Sequence, residues 1–196
     1  MLQCSMKCKR IGAPHRSNRP DGIRFGAYTD GMTEAFSPDL LPSEKEERYR
    51  QLLVEIQSVL QGETNRVARM ATVTSMLSAA FSTFFWTGFY QVDPDGPDEL
   101  VIGPYQGSLG CLRIAFGRGV CGDVAQKRET CVVPDVDAFP GHIACDSRSR
   151  SEIVVPVLDA GGELLGVLDV DSTERAAFDA IDQAGLEAIV RMAFAH

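Results

Sequence analysis

Two consecutive stretches with helical hydrophobic period give way at Phe84 to turn-punctuated, strand-like segments, and this change of period restricts the chain to an α+β architecture. Ser43 and Glu46 make a capping box opening a helix to about Gly62, with Tyr49, Leu52, Leu53, Ile56 and Leu60 on one face. A second helix, about Thr64 to Phe81, repeats the pattern with Val67, Met70, Ala71 and Leu77. The run FFWTGFYQV (84–92) is aromatic and β-branched, and the turn-rich DPDGPDE joins it to the strand ELVIG as a hairpin. Further strands are expected at Cys111–Phe116, Cys131–Pro134, Glu152–Leu158 and Glu163–Asp171, the last two joined through Asp159-Ala160-Gly161-Gly162. A short helix follows Gly122 and a final one covers roughly Glu174–Met192. The order reads ααβββαβββα in outline, with one strand left unlocated. Adjacent hairpins favour a mainly antiparallel central sheet with flanking helices, packed on one face.

Charge divides the chain of 196 residues unevenly. Residues 1–27 hold six Lys/Arg (Lys7, Lys9, Arg10, Arg16, Arg19, Arg24) against Asp21, leaving 13 basic and 26 acidic residues in the remainder. An acidic body of that kind repels nucleic acid and anionic lipid, so neither is an expected partner. No apolar run reaches the ~18 residues of a membrane span, and the first 20 residues lack the apolar centre of a secretory signal. We expect an N-terminal extension over 1–40, basic and flexible at its start, and one folded domain over 41–196. The expected location is the cytoplasm, an organelle being the alternative if the basic extension is a transit segment.

Cys4, Cys8, Cys111, Cys121, Cys131 and Cys145 are many thiols for a reduced compartment, which points to thiol chemistry or metal binding rather than structural disulfides. Zinc is disfavoured, because Cys111, Cys121 and Cys131 stand ten apart instead of in close ligand pairs. Cys131 begins the apolar CVVP and reads as a small buried hydrophobe. Cys145 lies in the polar end of a fourteen-residue aperiodic segment, Asp135–Arg148, which reads as an ordered functional loop. The GxGxxG at 117–122 lacks the βαβ context of a dinucleotide site. Its glycines instead suit a tight turn presenting Cys121 at a helix start, where the helix end favours thiolate. Asp169 and Asp171 point to one sheet face together with Leu165 and Val167, and Glu152 starts the neighbouring strand. Either that face is solvated, or the three carboxylates form a pocket for an ammonium group. Trp86 and Tyr90, four apart in a strand, are core residues or an aromatic wall for a small ligand.

WTGFY (86–90), GPYQG (103–107), Cys111, FGRGVCG (116–122), VVPDV (132–136), FPGHIACD (139–146), SEIVVPV (151–157) and GVLDVDS (166–172) occur in one order. This series resembles the free methionine-(R)-sulfoxide reductases, a family built on the GAF fold, from roughly Ser43 to the C-terminus. The resemblance implies Cys145 as catalytic cysteine, Cys111 as resolving cysteine and Cys121 as auxiliary. It implies Trp86 and Tyr90 around the methyl sulfoxide, and Glu152, Asp169 and Asp171 as pocket carboxylates. It further implies free methionine (R)-sulfoxide as substrate, no bound cofactor or metal, thioredoxin as reductant, and allows a homodimer. Cys145 would become a sulfenic acid, then a disulfide reduced by dithiol exchange. Three carboxylates would oppose thiolate formation, unless substrate ammonium offsets them or one carboxyl is protonated and serves as acid. The alternatives are a GAF module that binds a small ligand without catalysis, and a zinc-binding structural domain.

Overall fold

The first helix starts two residues earlier than the capping-box reading places it. In the computed structural model, which describes residues 42–143 and 145–195, α1 spans Pro42–Val59. Ser43 therefore lies inside the first turn and caps nothing, while proline, which has no N–H to leave unpaired, takes the first helical position. Tyr49, Leu52, Ile56 and Leu60 are buried as expected. Helix α2 (Arg66–Ala80) is capped by Asn65, whose side chain accepts from the Ala68 N–H at 3.0 Å. Its inward stripe is Met70, Val73, Thr74, Leu77 and Ala80; Val67 and Ala71, expected there, are exposed.

Strands β1 (Trp86–Asp93), β2 (Gly96–Gln106), β3 (Arg113–Ala115), β4 (Cys131–Val133), β5 (Ser151–Leu158) and β6 (Leu164–Ser172) form one six-stranded sheet in the order β3-β2-β1-β6-β5-β4. Every neighbouring pair is antiparallel, so the sheet is the expected kind. The six strands located in the sequence complete it, and no further strand occurs among the described residues. Both edge strands are three residues long, which limits the unpaired edge each presents.

Alternation along the strands supplies two cores. Phe89, Ile153, Val155, Val157, Leu168 and Val170 face α1, α2 and α4 (Ala180–Phe194). Trp86, Tyr90, Val154 and Val167 face the other way, toward α3 (Gly119–Lys127). The helices therefore cover both faces, not one. Leu165 packs into the first core, unlike Val167, because the β5–β6 register shifts by one residue between Val157 and Leu158 and turns it over. Helix α4 starts at Ala180, later than the sequence suggests. Asp179 accepts from the N–H groups of Ile181 and Asp182 at 2.7 and 3.2 Å, and Asp182 accepts in return from the Asp179 N–H at 2.9 Å. The buried Asp182 also accepts from Tyr49 Oη at 2.9 Å and from Lys45, fastening α4 to α1. No described helix is long and apolar enough to cross a membrane. The extension expected at 1–40 lies outside the described residues.

Candidate active site

Register lines the central strands into rows across the α3-facing side of the sheet. Glu152, Asp171 and Trp86 form one row over β5, β6 and β1; Val154, Asp169 and Gly88 form the next. Gly88 leaves its place empty for a neighbour, since a Cβ there would lie 2.5 Å from a Trp86 ring atom. The indole stacks between Tyr90 and Tyr105, with ring centroids 5.8 and 5.4 Å away.

Over this floor lie three covers. The first is α3. A Cβ at Gly122 would meet the Ala115 carbonyl oxygen at 2.4 Å, and Gly117 and Gly119 adopt φ of +73° and +61°, so each glycine of the GxGxxG is needed for backbone shape. Cys121 consequently sits in the first turn of α3, but buried, with its thiol donating to Asp169. Burial, then the charges of Asp169 and Glu152, push its pKa well up. The expected thiolate is thus overturned: the pull of a helix end is smaller than desolvation beside two carboxylates.

The second cover is the loop 107–112 after β2. Trp86 Nε1 donates to the Ser108 carbonyl at 2.9 Å, Tyr90 Oη bonds the Cys111 backbone, and the Ile102 N–H donates to the Leu112 carbonyl at 3.0 Å. The third is the loop between β4 and β5. Ser108 Oγ donates to Asp146 at 2.6 Å, and the Arg148 guanidinium and N–H bond the same carboxylate, holding it well below the usual carboxylate range. Cys145 is exposed and is bonded to Cys111 in a disulfide, with Cα atoms 5.5 Å apart.

Between floor and covers is a narrow cavity. Trp86, Tyr90, Cys121, Cys145, Glu152, Asp169 and Asp171 all line it, and Cys111 closes onto it through Cys145. Oxygens of the three acids lie within 4.8 Å of one another. Glu152 is 6% and Asp169 7% exposed, and Glu152 Oε1 and Asp169 Oδ1 are buried without a hydrogen-bond partner. Burial, then Asp171 and Glu152, push Asp169 well up; burial and Glu152 push Asp171 up to about 7, against a hydrogen bond from Ser149 that opposes the rise. Such a cluster of buried acids attracts a cationic group.

Two lining residues were not expected. His142 holds Nε2 3.6 Å from Glu152, and that contact raises its pKa. Ser149 steadies Asp171. Position in the aperiodic segment three residues before Cys145 was the available signal for His142. Cys131 is outside the cavity, half-buried on β4 near Asp123 and Lys127, with burial raising its pKa. Cys4 and Cys8 lie outside the described residues.

A curved antiparallel sheet with a roofed ligand cavity defines a GAF domain, and the GAF domain family matches residues 45–194. GAF domain-containing protein A of Dictyostelium discoideum is 50% identical over 148 residues, 76% of this chain and 91% of that protein. The free methionine-R-sulfoxide reductase of Saccharomyces cerevisiae is 39% identical over 152 residues, covering 76% of this chain and 84% of the yeast protein. That of Neisseria meningitidis, solved with its substrate, is 49% identical with a TM-score of 0.72 over 79% of this chain and 90% of that one. Within the GAF domains, the chain belongs to the free methionine-R-sulfoxide reductase family.

Proposed function

We propose that this chain reduces free methionine (R)-sulfoxide to methionine, with Cys145 as nucleophile and Cys111 as resolving thiol. The observation that carries the reading is the Cys111–Cys145 disulfide at the mouth of a cavity floored by three carboxylates and walled by Trp86 and Tyr90. A free amino acid brings an ammonium, for which the unpartnered oxygens of Glu152 and Asp169 are acceptors. Its carboxylate would pair with Arg118 and the positive end of α3, whose first residues also line the cavity. A methionine sulfoxide inside a protein chain has no ammonium to offer.

The chemistry follows from this placement. Cys145 Sγ attacks the sulfoxide sulfur while a proton reaches the oxygen; Asp171, with a pKa of about 7, is the donor suited to neutral pH. Methionine leaves and Cys145 carries the oxygen as a sulfenic acid. Cys111 condenses with it, forming the disulfide and releasing water. A dithiol such as thioredoxin then returns two electrons by exchange. Arrival of the ammonium lowers the carboxyl pKa values, which eases proton release and offsets the anionic surroundings that oppose a thiolate. Cys121 acts as a neutral thiol hydrogen-bonded to Asp169 and not as a nucleophile.

Cysteine variants test the assignment. Cys145→Ser should abolish even a single turnover. Cys111→Ser should release about one methionine per enzyme and then stop when thioredoxin is the only reductant. Quenched stoichiometry with disulfide mapping reads both; normal turnover by Cys145→Ser would sink the proposal.

A further inference from the structure

We propose that Leu109 and Leu112 form the docking surface for a protein dithiol reductant, an inference that rests on the reductase reading for its use of the Cys111–Cys145 pair. Leu109 is 74% and Leu112 68% exposed, the highest values among the large hydrophobic side chains described. A single exposed leucine means little, but these two bracket Gly110-Cys111 in a loop that has no freedom to fold them inward. The loop is fixed by the Trp86 and Tyr90 contacts, by the Ile102–Leu112 backbone bond and by the Ser108–Asp146 bond. A Cβ on Gly110 would lie 2.9 Å from Tyr90 Oη and 3.0 Å from Ile102 Cδ1, so the backbone there is pressed against the floor, with Leu109 exposed at the lip of the cavity and Leu112 exposed outside it.

The charges beside this shoulder are already satisfied. Asp146 is paired with Arg148, and that guanidinium lies 4.4 Å from the centre of the Phe85 ring. A small dithiol needs only access to the sulfurs. A protein must desolvate a patch of its own around its reactive thiol, and two leucines beside the disulfide provide the apolar counterpart.

In the exchange, the partner's first thiolate attacks Sγ of Cys145, the more exposed of the pair. The Cys111–Cys145 bond breaks and Cys111 leaves with its electron pair and takes a proton. The partner's second thiol then attacks the partner sulfur in the mixed disulfide, freeing Cys145 as a thiol. The chain gains two electrons and the partner ends as a disulfide.

The experiment uses the oxidised full chain with no sulfoxide present, so a chain that failed as a sulfoxide reductase could still pass or fail it. Rates of Cys111–Cys145 reduction are compared for thioredoxin and dithiothreitol. Leu112 does not line the cavity, and Leu112→Ser should slow the thioredoxin reaction by about 5- to 20-fold while changing the dithiothreitol rate less than about twofold. Leu112→Met should restore most of the thioredoxin rate. Thioredoxin lacking its second cysteine should be trapped on Cys145. An unchanged thioredoxin rate, an equal loss with both reductants, or trapping on Cys111 would overturn the inference.

Discussion

Asp171 is the residue whose behaviour departs furthest from its free chemistry while remaining open to measurement. Its carboxyl ionises near 4 in an unfolded chain and at about 7 in the fold, through burial and Glu152. Between those values the unfolded chain has shed a proton that the native chain keeps, so stability falls as pH rises. The stabilisation is complete below about 4 and lost above about 7. Asp171→Asn removes this dependence. The variant should be more stable than the wild type at pH 8, by roughly 2–4 kcal/mol, and gain little at pH 4. Thermal melts at the two pH values decide it, and an equal gain at both would show that Asp171 is not the titrating group. Asp169, also pushed well up by burial and by Asp171 and Glu152, adds to the same trend.

Among the elements, α3 ties the site together because it covers the carboxylates and carries Cys121. Gly122→Ala sets a Cβ against backbone atoms that cannot move aside, the Ala115 oxygen at 2.4 Å and the Gly117 nitrogen at 3.2 Å. It should cost about 1–3 kcal/mol and reduce activity by lifting α3 from β3. Gly96→Ala, whose nearest neighbour is 3.8 Å away, is the control and should be close to neutral in denaturant titration. The same element shows what the sequence could and could not tell. Its glycine spacing was legible as a tight turn, since period-2 segments on either side excluded a parallel nucleotide fold. The ionisation state of Cys121 was not legible, because it depends on Asp169, which lies 48 positions away and meets α3 only in three dimensions. Likewise Ser43-x-x-Glu46 imitates a capping box, whereas the real one, Asp179-x-x-Asp182, uses acids at both ends and is recognised by its bonds. The shared face of Asp169 and Asp171, and that of Trp86 and Tyr90, were legible because alternation fixes which side chains of one strand lie together, whereas the order of the strands in the sheet was not. Nor was the bulge that turned Leu165 over, because a one-residue slip leaves no mark in an apolar run.

For the whole molecule, the match to the GAF family over 45–194 covers every element that builds the cavity. The basic residues at the start of the chain lie outside that match. Deleting residues 1–29 should therefore leave kcat/KM for the sulfoxide and the melting temperature unchanged. A fall in either would show that the extension serves the chemistry.

The Cys111–Cys145 bond has a thermodynamic consequence apart from its chemistry. It closes a ring over 34 positions that contains β3, α3 and β4. Tying the ends of such a ring removes conformations from the unfolded chain and raises stability by about 3–4 kcal/mol in the chain-entropy account. For a domain of this size that corresponds to a rise of roughly 6–16 °C in Tm. Each catalytic cycle would then alternate between a heat-resistant and a heat-labile form, and melting the same sample before and after mild reduction should give two separate transitions. The cell's supply of electrons would be written into how firmly this protein holds together.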